Sequence, residues 1–569
     1  MRSKFVDLII ERIPPLMTWV IILFPLWGGF FYPDAAAYVI LTLNVYFLYR
    51  SISVTILLFI VSINIREAES INWLIKLQQL DDINNTIQNL KASKLSLTYS
   101  KITTEVYNYK SSTKDFLNKI LSKRVPSIIM NFLESFERKK AIKFVDEEIS
   151  ELDMLKKNGL SYNWHEIKHI VIIPNWKEPF HTLESTLIRI QKMNYPLSNI
   201  SIVLAAEARD PEGVVNCELL KSRYGKYFDN IWVTSHVLDK DHMIGKSSNM
   251  YWASKFLESK LKELNWDLKK VTVTSCDADS QLPVDYFSNI TYHYVTHKDS
   301  EYKYYTGALF LYSNIWKLPF FARVKNSMST LFSITRLARD DKLIPFSTYT
   351  VSMWMISEIG LWTPNVTPED YHTFFKGLFK YPKKVSTIPI YQKVYADAAE
   401  GDNAVDTARN NYLQERRWAW GVSDDGWMLK NMFSTAFRGD LSIRLFYMPL
   451  HALWDHLSVG VSILITFGSN LIVLINPRFA YTVVGANLPR ISYFLIQVTI
   501  AFFVLTVLID QYLRPAPERK RNIIQKCLDF AEWFLQPVIG IILVVLPGIE
   551  AHTRLLFGRY LEYYLTKKK

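Results

Sequence analysis

The sequence predicts an α/β domain built on a mostly parallel β-sheet and joined to an α-helical transmembrane region. Two patterns predict this fold class: short apolar runs alternate with helical patterns in the middle of the chain, and long uncharged apolar segments lie towards both ends. The chain has 569 residues, of which 49% are hydrophobic and 21% charged. It is therefore too long for a single core and too apolar to be disordered.

Two apolar segments predict an N-terminal transmembrane hairpin over residues 1–65. Residues 16–31 and 38–65 carry one charge, Arg50, and each can supply the roughly 20 residues that cross a bilayer. A cleaved signal peptide fits poorly, because a second apolar segment follows at once and no small-residue cleavage site separates the two. A buried core helix is the alternative for any one apolar segment of the chain, but it does not account for all of them together.

Three more apolar segments predict a C-terminal transmembrane region over residues 451–569; they are residues 451–475, 491–513 and 530–546. The most basic loop beside any span covers residues 514–526, so the positive-inside tendency assigns this loop, and with it the middle of the chain, to the cytoplasm. We expect a multi-pass integral membrane protein of the plasma membrane. The segment that contains Pro537 could span the membrane or be re-entrant.

The middle of the chain divides into three predicted parts. Residues 66–163 form a polar, helical cytoplasmic insert without recognisable chemistry, residues 164–427 form the α/β domain, and residues 428–450 form amphipathic helices at the membrane surface. Four apolar runs predict the strands, and helical patterns at residues 180–193, 214–224 and 247–264 separate them; the strands are residues 169–174, 199–207, 231–237 and 271–279.

Acidic side chains follow three of these strands, at the sheet edge where ligands bind in such folds. They are Glu178, Glu207 and the pair Asp277 and Asp279. Two carboxylates one residue apart at a strand exit can converge on a hard cation, and Mg²⁺ or Mn²⁺ held there would also bridge substrate phosphates. A simple turn is the alternative, because Asp is common in turns.

A Gly-Lys-Ser string begins one of the predicted helices. It is not a P-loop, since that motif needs a glycine where Lys240 stands. Lys246 and Asn249 could still face phosphates or a nucleotide from the start of the helix. An ordinary N-cap with a solvated lysine is equally compatible with the sequence.

Two further strings could carry chemistry. Glu369 and Asp370 follow an apolar, aromatic stretch, and a carboxylate in a partly dry cleft can accept a proton from a sugar hydroxyl; a plain helix N-terminus is the alternative. Gln414, Arg417 and Trp418 share one face of a helix. Arg417 suits a diphosphate, and Trp418 offers a plate on which a sugar ring can stack. A core aromatic residue beside a surface arginine is the alternative for this string.

The order and spacing of these motifs resemble the family 2 glycosyltransferases, in particular the membrane-integrated branch of cellulose, chitin and hyaluronan synthases. The resemblance covers residues 164–427 and the flanking spans, and it implies a GT-A, Rossmann-like catalytic domain. Three features depart from the family pattern: Trp176 stands where many relatives carry Tyr, the insert is long, and a gating loop between the C-terminal spans is not recognisable.

The resemblance also implies roles for individual residues. Nucleotide-sugar binding falls to Asn175, Glu178, Glu207, Lys246, Asn249, Asp277 and Arg417, and a Mg²⁺ or Mn²⁺ ion to Asp277 and Asp279. Asp370, in Pro368-Glu369-Asp370 where the family usually has Thr-Glu-Asp, becomes the general base. Glu369, Gln414 and Trp418 fall in the acceptor site.

The expected function is therefore inverting transfer of a sugar from a UDP- or GDP-linked donor to a glycan, by a polysaccharide synthase. Transfer of one sugar to a lipid acceptor is the alternative within the same chemistry, and a transporter or channel with a regulatory domain is an alternative of another class. Membrane lipids are expected partners, because the net charge of +12 suits anionic lipid. Nucleic acid is not an expected partner, since no nucleic-acid fold signature is present.

Overall fold

A computed structural model describes residues 2–99, 127–240 and 242–561 of the chain. Its central feature is a seven-stranded sheet in the order β3-β2-β1-β4-β6-β5-β7. The strands are β1 (Lys168–Asn175), β2 (Ile200–Glu207), β3 (Asn230–His236), β4 (Val271–Ser275), β5 (Lys303–Phe310), β6 (Tyr349–Ser352) and β7 (Ser386–Tyr395). Four strand pairs are parallel, and only the two pairs made by β6 are antiparallel. The predicted fold class, a mostly parallel sheet combined with long apolar helices, is confirmed.

Helices surround the sheet and extend from it towards the predicted membrane. They are α1 (Arg2–Phe31), α2 (Pro33–Ser70), α3 (Trp73–Gln78), α4 (Ile83–Tyr99), α5 (Ser127–Asn158), α6 (Phe180–Gln191), α7 (Pro211–Tyr224), α8 (Lys246–Glu263), α9 (Tyr286–Thr296), α10 (Phe320–Thr335), α11 (Met353–Glu358), α12 (Glu369–Lys380), α13 (Ala404–Ala419), α14 (Val422–Phe437), α15 (Ile443–Ile475), α16 (Pro477–Ala480), α17 (Val483–Leu513), α18 (Ile523–Ala531), α19 (Gln536–Gly540) and α20 (Leu546–Leu556). A π-helical turn, Ile541–Val545, joins the last two.

Strands β1 and β2 are buried on both faces, which explains why they appear in the sequence as continuous apolar runs and not as alternating patterns. Along β1, Val171 and Ile173 pack against the helices of one face, and Ile170 and Ile172 pack against those of the other. Both layers are needed to exclude water from the sheet. The helices α3, α4 and α5, from the region predicted as a polar insert, contribute to the first layer through residues such as Trp73.

Four helical segments are long and apolar enough to cross a membrane: Val6–Phe31, Pro33–Ser70, Val483–Leu513 and Ile523–Leu556. The number rises to five if two parts of α15 that are bent against each other, Ile443–Leu464 and Thr466–Ile475, are counted as one span. This count, made over the described residues, agrees with the five apolar segments expected from the sequence.

Two of the long apolar helices, α2 and α15, also pack against the α/β domain. The C-terminal half of α2 places Leu58, Val61 and Ile65 in one buried cluster with Phe310 of β5. The N-terminal half of α15 likewise packs Leu445 and other residues against the opposite face of the sheet domain. The sheet domain therefore packs directly on two of the candidate membrane-spanning helices.

Candidate active site

The strand order reverses between β1 and β4, and in open α/β sheets ligands bind in the crevice at the carboxyl ends of the strands beside such a reversal. Asn175 ends β1, and Asp277 follows β4 by two residues. Sequence-predicted residues thus flank the crevice on both sides.

Lys246, at the first turn of α8, brings two of the predicted carboxylates together. Its Nζ lies 2.7 Å from Oδ1 of Asp277 and 2.9 Å from Oε1 of Glu369. The Glu369 side chain is buried and also accepts a hydrogen bond from the hydroxyl of Tyr349 at 3.0 Å. One ammonium group therefore bridges the motif after β4 and the motif that begins α12.

Ser347 completes this cluster with three hydrogen bonds. Its backbone N–H donates to Oδ2 of Asp370 at 2.7 Å, its hydroxyl donates to Oδ2 of Asp277 at 2.6 Å, and its carbonyl accepts from Nζ of Lys246 at 2.8 Å. Its φ of 60° is left-handed, a conformation that costs a residue other than glycine about 1 kcal/mol and often marks functional sites. Ser347 ties the predicted base to the predicted metal ligand.

The four residues Lys246, Asp277, Glu369 and Asp370, together with Ser347, are called the carboxylate cluster below. Burial disfavours the charged form of Lys246, but the carboxylates of Asp277, Glu369 and Asp370 outweigh burial, and the pKa of the lysine is raised. It therefore stays cationic at neutral pH. Burial raises the pKa of Glu369, which the Lys246 ammonium opposes.

Asp279 faces a different neighbour from Asp277. Its Oδ2 accepts a hydrogen bond from the backbone N–H of Asp397 at 2.9 Å, in the loop between β7 and α13. The middle of α13 holds the same loop, because Asn411 donates to the carbonyl of Ala399 at 2.9 Å. The loop after β4 is thus connected to the helix that carries the Gln-Arg-Trp motif.

The turn after β1 is organised by Asn175. Its buried side chain accepts a hydrogen bond from the backbone N–H of Glu178 at 3.2 Å, and its carbonyl accepts from Nδ2 of Asn249 at 3.4 Å. These contacts place Asn175, Glu178 and Asn249 beside the start of α8, where the sequence predicted a nucleotide pocket.

Glu207, at the end of β2, is buried and positions the residue before α8. It forms an ion pair with Arg209 and accepts a hydrogen bond from the backbone N–H of Gly245 at 3.3 Å. Gly245 has a φ of 111°, which only glycine adopts readily, so this position fixes how α8 presents Lys246. Arg209 also lies 4.6 Å from the ring centroid of Trp176, which leaves a cation and an aromatic ring at the rim of the crevice.

On α13, Gln414 and Trp418 contact one buried lysine of α10. Nζ of Lys325 lies 3.5 Å from Oε1 of Gln414, 3.0 Å from Oε2 of Glu415 and 4.4 Å from the ring centroid of Trp418. Trp418 remains 40% exposed, so part of its ring faces outward. Arg417 is half-buried on the same helix. The contacts of Gln414 and Trp418 with Lys325 are distinct from the contacts that define the carboxylate cluster.

The donor set at the exit of β4 suits a hard divalent cation. Asp277 and Asp279 supply carboxylate oxygens. Among the described residues, no group of three or more His, Cys, Asp or Glu side chains could hold a metal without further ligands. Mg²⁺ commonly uses one or two carboxylates and takes its remaining ligands from substrate phosphates and water. The residues therefore fit an ion that binds together with a phosphorylated substrate, and Lys246 already supplies one positive charge to Asp277.

Sequence reasoning did not identify Ser347, Lys325 or Arg209. Ser347 and Lys325 act through contacts with residues far away in the chain, and no local pattern marks them. Asp210 could have been identified, because an Asp before a Pro is a sequence signal for a helix N-terminus. Its carboxylate caps α7 by accepting a hydrogen bond from the backbone N–H of Gly213 at 3.2 Å. It also accepts one from the backbone N–H of Lys177 at 2.8 Å.

No family model matches the chain, and no curated protein sequence matches it. Among solved structures, it is similar to the mannosyltransferase PcManGT from Pyrobaculum calidifontis in complex with GDP-Man and Mn²⁺, with 14% identity, a TM-score of 0.35, and coverage of 59% of this chain and 87% of that one. It is also similar to TarS 1–349 of S. aureus in complex with UDP-GlcNAc, with 11% identity, a TM-score of 0.28, and coverage of 69% and 93%. Both TM-scores lie below 0.5, so the function is inferred from the chain's own residues.

Proposed function

We propose that the protein is a membrane glycosyltransferase that moves a sugar from a nucleotide-sugar to an acceptor hydroxyl, with inversion at the anomeric carbon. The observation that carries the proposal is the set of contacts made by Ser347, which joins Asp370 to Asp277. In a single displacement on a nucleotide-sugar, the acceptor hydroxyl loses a proton while the nucleoside diphosphate departs. The reaction therefore requires a base close to the edge that binds the phosphates.

In this proposal the nucleotide occupies the crevice between β1 and β4. Asn175, Glu178, Glu207 and Asn249 line or support the pocket for the base and ribose. Trp176 and Arg209 lie at its rim, 4.6 Å apart. A planar base could stack on either group, because an indole ring and a guanidinium both offer a flat face. The contact of Asn249 with the carbonyl of Asn175 keeps the turn after β1 close to α8.

The diphosphate lies at the exit of β4 in the proposed complex. Asp277 and Asp279 would hold Mg²⁺ or Mn²⁺, which when bound neutralises charge on the diphosphate. Lys246, kept cationic by its carboxylate neighbours, stands beside the same site. We assign Arg417 to the departing diphosphate as well. Preorganised positive charge at a leaving group is usually the largest electrostatic contribution to catalysis.

Asp370 is the proposed general base. Backbone N–H groups of Ser347 and Tyr371 donate to its two carboxylate oxygens at 2.7 and 2.8 Å and so fix its orientation. The carboxylate accepts the proton of the acceptor hydroxyl, whose oxygen then attacks the anomeric carbon from the face opposite the diphosphate. Glu369 and Lys246 are positioning residues for this carboxylate, because both lie in the same cluster.

The acceptor is proposed to be a glycan, and the enzyme a polysaccharide synthase whose α/β domain faces the cytoplasm at the plasma membrane. The exposed part of the Trp418 ring is a surface on which a sugar can stack, and Gln414 lies one turn before it on α13. Direct packing of α2 and α15 on the sheet domain supports delivery of a growing chain into the membrane region.

A donor screen tests the proposed function. Purified protein in detergent, incubated with UDP- and GDP-sugars and Mn²⁺, is expected to release nucleotide from one donor and to form a ladder of labelled products. Nucleotide release and product size are measured in the same reaction. Removing the divalent ion with EDTA is expected to stop release, and adding Mn²⁺ back to restore it.

The outcomes separate the parts of the proposal. A single labelled glycolipid would support sugar transfer and contradict the polysaccharide assignment. Release that persists in EDTA would contradict the metal assignment. Absence of release from every donor, with protein that stays folded and binds no nucleotide, would contradict glycosyl transfer itself.

A further inference from the structure

A group of basic side chains lies where the membrane helices meet the α/β domain. Arg50 lies on α2, about two turns before the part of this helix that packs on the domain. Asp455 lies on α15, near the end of the part of that helix that packs on the domain. Arg336 follows α10, and Lys342 lies in the loop that leads to Ser347. Arg50, Arg336 and Lys342 are called the junction cations below.

The junction cations surround a single carboxylate. Nη2 of Arg336 donates to Oδ2 of Asp455 at 3.0 Å, and Nη2 of Arg50 lies 3.8 Å from Oδ1 of the same residue. Nζ of Lys342 lies 2.6 Å from Nε2 of His451, whose Nδ1 is 3.5 Å from Asp455. Both arginines therefore contact the Asp455 carboxylate, and Lys342 approaches it through His451.

The neighbouring acids have other cationic or histidine partners in the described part of the chain, and Asp340, in the same loop as Lys342, interacts with the charge of Arg444. Asp341 makes two hydrogen bonds to Arg339, at 2.8 and 2.7 Å. Asp425 pairs with His456 at 2.8 Å, and Asp424 pairs with His372 at 2.8 Å. The junction cations thus carry an excess of positive charge in a region that is only partly exposed, with 22% of the Arg50 side chain and 39% of the Arg336 side chain reached by solvent.

The pKa of Lys342 depends first on burial and then on the charges around it. Burial lowers its pKa, and the charges of Arg339 and Arg50 lower it further, against the carboxylates of Asp455 and Asp341. An additional anion beside Lys342 would relieve this repulsion. Unpaired charge is costly to bury, so the site is expected to bind one.

Exposed aromatic side chains border the same site. The guanidinium of Arg50 lies 5.1 Å from the ring centroid of Phe332, which is 40% exposed, and Tyr447 is 38% exposed beside Arg339. Exposed rings next to basic residues at the end of membrane helices are typical of the membrane–water interface. An anion with an attached apolar chain fits this combination better than a soluble anion does.

We propose that the junction cations form a binding site for the phosphate headgroup of an anionic membrane lipid. Arg50 and Arg336 approach the phosphate from the membrane helix and the α/β domain, and Lys342 from the loop between them. The bound lipid links the membrane helices to the loop that carries Ser347. The proposal does not depend on the identity of the sugar or of the acceptor.

Native mass spectrometry of the full-length protein in a neutral detergent tests this site. Phosphatidylglycerol and phosphatidylcholine are titrated at equal concentration, and the wild-type protein is expected to retain the anionic lipid preferentially. Each Lys or Arg near an anionic lipid headgroup contributes about 1 kcal/mol to binding. Arg336→Gln combined with Lys342→Gln is therefore expected to weaken phosphatidylglycerol retention about 30-fold. Lys255→Gln combined with Lys260→Gln removes the same charge from positions on α8 that are not buried, and it is expected to have no effect.

A single variant and a competition with inorganic phosphate complete the test. If the double variant does not fold, Lys342→Gln alone is used, because Lys342 contacts His451 and not Asp455 directly; a loss of about fivefold is expected. Equal retention of both lipids, or unchanged retention in the junction variants, would overturn the proposal. Displacement of the lipid by millimolar inorganic phosphate would assign the site to a soluble anion and overturn the lipid assignment.

Discussion

Replacing Asp370 with asparagine is expected to lower the turnover of sugar transfer about 100-fold to 10,000-fold, the usual contribution of a general base. Asparagine keeps the size of the side chain and an oxygen that can accept the backbone hydrogen bond of Ser347, but it cannot take up the acceptor proton. Nucleotide binding is expected to change little, because the proposed pocket residues remain in place. Initial rates of nucleotide release and calorimetric titration with the nucleotide measure the two effects separately.

Asp299→Asn is the matched control for this variant. Asp299 precedes β5, at the sheet edge opposite the carboxylate cluster, where it pairs with Lys384 at 3.0 Å, and its φ of 56° is one that asparagine adopts well. Turnover is expected to stay near the wild-type value. Near-normal turnover in Asp370→Asn would show that another group accepts the proton and would remove Asp370 from the mechanism.

Lys246→Met is expected to abolish turnover and also to destabilise the fold. The methionine leaves the buried carboxylate of Glu369 without its ammonium partner, and breaking a buried ion pair in this way typically costs about 3–5 kcal/mol. Asp277 loses the same cation. The midpoint of thermal unfolding in detergent, measured beside nucleotide release, is expected to fall clearly below that of the wild type.

Two companion variants separate charge from packing. Lys246→Arg keeps the positive charge and is expected to retain most of the stability. Adding Glu369→Gln to Lys246→Met removes the unpaired carboxylate, so the double variant is expected to be more stable than the sum of the two single changes predicts. Additive losses would mean that the two side chains do not interact, which would contradict the geometry of the cluster.

The sequence was sufficient to predict the strands β1 to β4 and the acidic residues at their ends. Strands β1 and β2 are buried on both faces, so each appears as a continuous apolar run. It was not sufficient to predict β5, β6 and β7. Strand β6, Tyr349–Ser352, has 4 residues and therefore no readable periodicity. That strand pairs in antiparallel fashion with β4 and β5, and such pairing depends on contacts between distant segments.

The motif residues of the candidate site could be named from the sequence, but their supports could not. Gln414 and Trp418 share a helix face, as their spacing predicts, and both contact Lys325. Nothing around Lys325 in the sequence distinguishes it from a surface lysine. Ser347 is also not recognisable from the sequence. Its backbone is left-handed, a conformation that a glycine would indicate but a serine does not.

The ends of the predicted spans show a second limit of prediction from the sequence. Leu58, Val61 and Ile65 are apolar and were expected within a span, and their buried cluster contains both Phe310 of the α/β domain and Val507 of another candidate span. Lipid and protein interior favour the same side chains, so hydropathy predicts that the helix exists but not where the bilayer ends. The position of the junction cations follows only from the packing.

The most direct test of the central claim is calorimetric titration of UDP and GDP into the purified protein, with and without Mn²⁺, for the wild type and for Asp279→Ala. If the exit of β4 binds a nucleotide diphosphate through a divalent ion, one nucleotide binds the wild type in the presence of Mn²⁺. The affinity then falls by about tenfold or more, equivalent to about 1.4 kcal/mol, when either the ion or the Asp279 carboxylate is removed. Nucleotide binding that is unaffected by both changes, or no binding of either nucleotide, would contradict the account.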